Sequence, residues 1–214
     1  MRKSIISALR AIVGQEHYSI PRVPDELKFG KTQREKQYLA IINELLDVVK
    51  KDPMTGLTHK EHFKQLEKGA GVFIMVDGDG LKKINDQFGH AAGHAAILAI
   101  AQGIKGAIRK DTKIHQTVTR SGGDEFIIHV EKVSLPMGVT IANRILGNIR
   151  NQKISDFYKG DSNIKEELNK INLTASMGVG YTEEDADKAM YKAKQKGRNR
   201  VEYYSQILEE KQVH

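Results

Sequence analysis

The 214-residue sequence has no cysteine, no tryptophan, four prolines and 6% aromatic residues. Without cysteine there is no disulfide scaffold, no thiolate metal site and no cysteine nucleophile. No apolar run approaches the ~20 residues that a bilayer crossing needs. Internal repeats, low-complexity tracts and blocks of like charge are also missing. The stacking kind of nucleic-acid surface sets aromatics among basic residues. Neither that interleaving nor a helix-turn-helix pattern is present, so nucleic acid is not an expected partner. At 39% hydrophobic and 29% charged, the composition is that of an ordinary globular protein. The length suits one domain of ~100 to 200 residues with an appendage.

Thirty-four Lys and Arg stand against 27 Asp and Glu, a net charge of +7. Six of these cations and no acid fall within residues 188–200, leaving +1 for the rest of the chain. A solvated lysine-rich surface explains such an excess in general. By itself the charge does not choose between that surface and one for nucleic acid, a membrane or a phosphorylated ligand.

Residues 1–14 read as an amphipathic helix with Ile5, Ile6, Leu9, Ile12 and Val13 on one side, and Arg10 interrupts the pattern of a signal peptide. Pro21 and Pro24 break the chain before a second helix from about Thr32 to Lys51. Its Tyr38, Ile41, Ile42, Leu45, Val48 and Val49 recur at helical spacing over about two heptads, which suits either a dimer seam or a core-packed helix. The organisation is therefore a helical extension over residues 1–51, a domain over 52–205 and a tail over 206–214.

Within the domain, the apolar run Gly71 to Asp77 suits a strand buried on both faces. A helix is expected over Ala91–Arg109, then a strand over His115–Arg120, a Gly122-Gly123 turn and a strand over Glu125–Val130. A helix over Pro136–Asn151 and a polar connection containing a helical piece follow. A strand over Ile171–Tyr181, a helix over Glu183–Lys196 and a strand over Arg200–Tyr204 complete the chain. The order β-α-β-β-α-β is the α+β, ferredoxin-like palm, an antiparallel sheet with its helices expected on one face.

Acidic residues gather where strands end. Asp77 and Asp79 close the first strand, and Asp124 and Glu125 sit at the hairpin turn. In a βαββ unit the first strand lies beside the hairpin, so the two clusters can converge. Hard carboxylate oxygens at close range suit Mg²⁺, which keeps several waters and is shared with substrate phosphates. The competing explanation is that turn aspartates only satisfy backbone N–H groups. Gly122 and Gly123 add a turn that a bulky ligand can approach closely.

Arg120-Ser121-Gly122-Gly123-Asp124-Glu125-Phe126 resembles the signature of the GGDEF domain, the catalytic domain of diguanylate cyclases. Asp52-Pro53-Met54-Thr55-Gly56-Leu57, the stretch from Asp77 through Lys82, Asn85 and Asp86 to Gly89-His90, Ser176-Met177-Gly178, and the run from Ala186-Asp187 to Arg200 are similar to the family's other motifs in order. The resemblance spans Asp52 to about Tyr204. It implies Mg²⁺, with Mn²⁺ as an alternative, held by Asp77, the carbonyl of Gly78 and Asp124, with Glu125 adding charge beside it. It further implies that Asp124 is the base for a ribose 3′-hydroxyl, and that Lys82, Lys194 and Arg198 bind the triphosphate. Asn85, His90 and His94 belong to the stretch that reads the purine. Two domains, each holding one nucleoside triphosphate, would face one another as a homodimer. Each 3′-oxygen then attacks the partner's α-phosphorus to give a cyclic dinucleotide and pyrophosphate. Lys194 and Arg198, four apart, are expected on one side of the last helix.

Three departures follow. The family commonly carries an aspartate where His94 stands; a neutral imidazole accepts one hydrogen bond and donates another, which admits adenine beside guanine. GTP is the favoured substrate and ATP, or a mixture, the alternative. An Arg-x-x-Asp pair that binds product in relatives is replaced by Lys113-Ile114-His115-Gln116, and the segment between Ser176-Met177-Gly178 and Ala186 is short. Control is expected to act through residues 1–51 or through assembly, and the protein is expected in the cytoplasm. A catalytically silent nucleotide-binding module is the rival reading, opposed by the intact Asp77, Asp124 and Glu125.

Overall fold

The computed structural model describes residues 49–66, 68–108 and 115–204. The helix expected over residues 1–14, nearly all of the one over 32–51, positions 113 and 114 and the tail over 206–214 lie outside them. The described residues belong to two compact units that divide after Leu66.

In the first unit, Lys51 forms an antiparallel bridge with Thr58 rather than continuing a helix. Asp52 makes the turn between them: its Oδ1 accepts from the Thr55 N–H at 2.7 Å and the Thr55 hydroxyl at 2.6 Å. A short strand β1 (Thr58–His59) leads into helix α1 (Lys60–Gln65), where His59 Nδ1 accepts from the Glu61 N–H. Leu57 and Phe63 are buried.

The second unit is built on β2 (Gly71–Gly78), β3 (Gln116–Gly122), β4 (Glu125–Glu131), β5 (Ala175–Gly180) and β6 (Val201–Tyr203), in the order β3-β4-β2-β5-β6. Every pairing is antiparallel except β5 with β6. Its helices are α2 (Leu81–Phe88), α3 (His90–Ala107), α4 (Leu135–Arg150), α5 (Ser162–Asn169) and α6 (Glu183–Gln195), with a 3₁₀ turn at Ile154–Asp156. The parallel pair β5 and β6 needs a crossover, and α6 supplies it.

β2 alternates. Val72, Ile74 and Val76 have no exposed surface, whereas Phe73, Met75 and Asp77 are half-buried. The strand is therefore fully covered on one face only, against the expectation of burial on both. Each of the three fully buried side chains contributes about 1.5 to 3 kcal/mol of apolar burial.

The helices lie on both faces of the sheet, not on one. Val72 and Val179 pack on Gly138 of α4, since a Cβ there would fall 2.7 Å from Val72 Cγ2 and 3.1 Å from Val179 Cγ1. The opposite face of β5 carries Gly178 and Gly180, opposite Met75 and Phe73. With no side chains there, the α6 backbone settles directly on the strand: a Cβ at position 178 would strike the Ala186 carbonyl and the Met190 nitrogen. Two glycines at alternate positions make the smooth strip on which the second layer rests.

Candidate active site

The cleft forms where β2 ends. Asp77 stands opposite Glu125 of β4 on one side and Ser176 of β5 on the other. It points to the α6 face, and Lys194, in the last turn of α6, donates to its Oδ2 at 2.7 Å. The hairpin brings the second acid. A register shift between Arg120 and Gly122 leaves Gly123-Asp124 as a two-residue turn, with Gly123 at φ +47°. Positive φ at the first central residue is what a II′ turn demands, and glycine meets it without strain. Arg120 Nε donates to the Gly123 carbonyl at 2.8 Å and holds the turn closed.

The Gly78 N–H donates to the Asp124 carbonyl at 3.2 Å, which ties turn to strand. Asp124 lies over Gly78, its Cβ 3.2 Å and its Oδ2 3.6 Å from where a side chain at position 78 would begin. A side chain at 78 would overlap Ile100 Cδ1 at 2.5 Å and press on Asp124. Burial, then the charge of Asp77, raises the Asp124 pKa above the usual carboxylate range, and Glu125 adds to the same effect. Lys194 opposes that shift without cancelling it.

Asp79 behaves differently from the other acids. Its carboxylate accepts from the Thr174 hydroxyl at 2.8 Å, the Ser176 hydroxyl at 2.7 Å and the Asn199 N–H at 3.0 Å. Three bonds, one of them from a backbone N–H, give Asp79 a structural role in tying the end of β2 to β5 and to the turn after α6. Sequence reasoning placed it in the acidic cluster and missed Thr174, Ser176 and Asn199. Ser176 and Asn199 fall in stretches that carry the family resemblance but without an assigned role, and Thr174 has no signal beyond its hydroxyl just before β5.

Asp77, Gly78, Asp79, Asp124, Lys82, Lys194 and Arg198 are among the residues that line an open cleft of about 1010 Å³. Arg198 is not on α6 as expected. The helix ends at Gln195 in a Schellman turn: the Gly197 N–H reaches the Lys194 carbonyl at 3.4 Å and the Arg198 N–H the Ala193 carbonyl at 3.0 Å. Gly197, Arg198 and Asn199 all have positive φ, and this turn delivers Arg198 to the cleft that Lys194 reaches from the helix.

The structure does not bring every expected residue into this cleft. Glu125, Gly122 and Gly123 are exposed beside it, and Asn85 lies over Gly93 of α3. His90 and His94, one turn apart on α3, are exposed. The cations of residues 188–200 are also more dispersed than their sequence density suggests. Lys188 pairs with Glu184, Lys196 with Glu202 and Arg200 with Glu202, so only Lys194 and Arg198 of the six line the cleft.

Carboxylates converging on a turn beside a Lys and Arg cleft, at the end of the central strand, are the arrangement of one nucleotide-handling family. The sequence matches that family, described as diguanylate cyclase, GGDEF domain, over residues 49–200. The chain belongs to the GGDEF family. It is 34% identical over 187 residues to diguanylate cyclase A of Treponema denticola, an alignment covering 76% of this chain and 47% of the relative. It is 30% identical over 191 residues to YtrP of Bacillus subtilis, covering 79% of this chain and 30% of that protein. The chain thus spans half or less of the length of these relatives. The coiled coil and GGDEF domain of DgcB from Caulobacter crescentus, solved with c-di-GMP, superposes with a TM-score of 0.66 at 20% identity, covering 79% of this chain and 93% of that one. The active GGEEF domain of a Vibrio cholerae diguanylate cyclase superposes with a TM-score of 0.52 at 28% identity, covering 64% and 85%. The α+β palm is therefore the fold of this GGDEF chain. Among the described residues, no helix is long and apolar enough to cross a membrane.

Proposed function

We propose that this GGDEF chain condenses two purine nucleoside triphosphates, GTP in preference, into a cyclic dinucleotide, cyclic di-GMP in preference, with loss of two pyrophosphates. The observation that supports it is the single cleft in which Asp77 and Asp124 face Lys82, Lys194 and Arg198. Relatives named as diguanylate cyclases add to it. Phosphoryl-type transfer asks little covalent chemistry of a protein. It asks for positioning and for cations over the developing charge.

The donor set fits Mg²⁺, or Mn²⁺ in its place. Burial, and after it the charge of Asp77, raises the Asp124 pKa, and the Gly78 carbonyl adds a hard oxygen to Asp77 and Asp124. Among the described residues, no three acids or histidines come together closely enough to hold a metal ion by themselves. A small protein donor set suits an ion that completes its shell with water and phosphate oxygens. When bound, the ion supplies charge neutralisation across those oxygens. Lys82, Lys194 and Arg198 hold the phosphates. Asp124, ionised, accepts the proton of the ribose 3′-hydroxyl, and that oxygen forms its bond to the α-phosphorus held by a second chain. Each cleft holds one nucleotide, so two chains must face each other. Asn85, His90 and His94 are assigned to the base, Glu125 to charge beside the metal, and Gly122 and Gly123 to the open turn. The cytoplasm, where nucleoside triphosphates are made and used, is the assigned compartment.

His94, exposed on α3 with one acceptor and one donor, favours a second reading in which ATP serves alone or with GTP. The test for both is the mass of the product formed from mixed ATP and GTP with Mg²⁺, using wild type and Asp124→Ala. Two guanosines support the first reading, and one or two adenosines support the second. An intact dimer that yields no phosphodiester-linked product from either nucleotide refutes both and leaves a silent binding module.

A further inference from the structure

Asn199 is gripped from two elements. Its N–H donates to Asp79 Oδ2 at 3.0 Å, at the end of β2. From the last residue of α4, Arg150 Nε donates to Asn199 Oδ1 at 2.9 Å and Arg150 Nη2 to the Asn199 carbonyl at 2.8 Å. The guanidinium fork thus takes both oxygens of one residue, a match that its planar geometry favours. Asp79 is anchored in turn by Thr174 and Ser176.

This grip sits on an uncommon backbone. Arg198 and Asn199 have φ of +62° and +50°, following Gly197 at +103°. Left-handed backbone at consecutive non-glycine residues persists only where the surroundings over-determine it. The Schellman bonds fix Gly197 and the Arg198 N–H. They do not constrain the chain after Arg198; the next anchors are Asn199 and then the Arg200 carbonyl, which accepts from the Met177 N–H at 2.9 Å. Released, residues 198 and 199 relax toward negative φ, and the Arg198 side chain, which lines the cleft, turns away from it. Arg150 itself does not line the cleft.

We propose that Asp79 and Arg150 are positioning residues that keep Arg198 aimed at the triphosphate by clamping Asn199. This inference rests on the reading of the cleft as a triphosphate site. The test is a double-mutant cycle on the full chain. Binding of α,β-methylene analogues of GTP and ATP with Mg²⁺ is measured for wild type, Arg198→Ala, Arg150→Ala, Arg150→Lys and Arg150→Ala/Arg198→Ala, with each melting transition recorded. Arg198→Ala and Arg150→Ala are each expected to weaken binding about tenfold, the scale of one charge-assisted hydrogen bond. The double variant is expected to bind no more weakly than Arg198→Ala alone. Arg150→Lys keeps one of the two bonds and is expected to lose less, which also serves if Arg150→Ala fails to fold. Additive losses, or full affinity in both Arg150 variants, overturn the clamp and leave the triphosphate reading standing. A folded wild type that binds neither analogue overturns the triphosphate reading, and the clamp falls with it.

Discussion

Replacing Gly178 with alanine inserts one methyl group between β5 and α6, and the structure leaves no room for it. The added Cβ would meet the Ala186 carbonyl oxygen, the Met190 nitrogen and, at 2.8 Å, the Ala189 carbonyl carbon. All three are helix backbone, so no side-chain rotation relieves the overlap; α6 must lift from the sheet. Overpacking of a close-packed interior costs about 1 to 3 kcal/mol, and the rigidity of the obstacle places this case near 3. For a domain of this size that corresponds to a fall in Tm of roughly 6 to 12 °C. Because α6 carries Lys194, triphosphate binding is expected to weaken in the folded fraction as well. Urea unfolding at 25 °C, with Gly147→Ala of α4 as control, measures the effect. A Cβ at 147 meets nothing within 4 Å, so that helix glycine is expected to yield a gain of about 0.5 to 1 kcal/mol. A Gly178→Ala protein within about 0.5 kcal/mol of wild type, the usual range of a surface change, would refute the account of how the second helical layer seats.

Asp124→Asn is expected to abolish product formation while raising the Tm of the metal-free protein near neutral pH, since it removes the charge of a carboxylate that is partly buried and, after that, crowded by Asp77; a lower Tm would contradict the electrostatic account. Because the folded protein holds the Asp124 proton more tightly than the unfolded chain does, this group adds stability as pH falls through its native pKa toward the ordinary value, and the Asn variant should lack that gain. His129 acts in the opposite sense. It is 2% exposed, and burial pulls its imidazole below the ordinary 6.5, so its contribution is present above that pH and lost as pH falls below it. His129→Phe should flatten that loss in a series of melts from pH 7.5 to 5, a range chosen about the ordinary histidine value. His94→Asp should shift a mixed ATP and GTP reaction toward the all-guanine product, read by mass; an unchanged product ratio would show that this position does not read the base.

The strands were legible because β2 and β4 are runs of β-branched and aromatic residues bounded by glycine, acid or turn signals, and the Gly122-Gly123-Asp124 hairpin announced both its turn and its family. Helix α2 was not, since Leu81–Phe88 begins at Gly80, in a left-handed conformation with no side-chain cap, and its polar residues resemble a loop. The two-sided placement of helices was hidden in Gly178 and Gly180, whose meaning depends on a helix about ten residues further along the chain. Proximity in sequence misled twice. Asp77 and Asp79 both line the cleft, yet Asp77 pairs with Lys194 whereas Asp79 is tied to Thr174, Ser176 and Asn199. Lys194 and Arg198 have helical spacing, yet a change of backbone hand separates them. Side-chain hydrogen bonds spanning some 50 to 120 positions, such as Arg150 to Asn199 and Asp79 to Asn199, leave no periodic trace in the sequence.

The ion pair between Lys194 and Asp77 makes the resting cleft a matched set of charges rather than a bare cationic trap. A free anion that seeks Lys194 must first separate it from Asp77, leaving a half-buried carboxylate without its partner. A polyphosphate arriving with its own divalent cation meets no such obstacle, because the incoming pair and the resident pair can exchange partners. On the proposed reading, the cleft therefore discriminates between complexed and uncomplexed phosphate before any base is read. Inorganic phosphate and metal-free nucleotide, however abundant, should compete poorly.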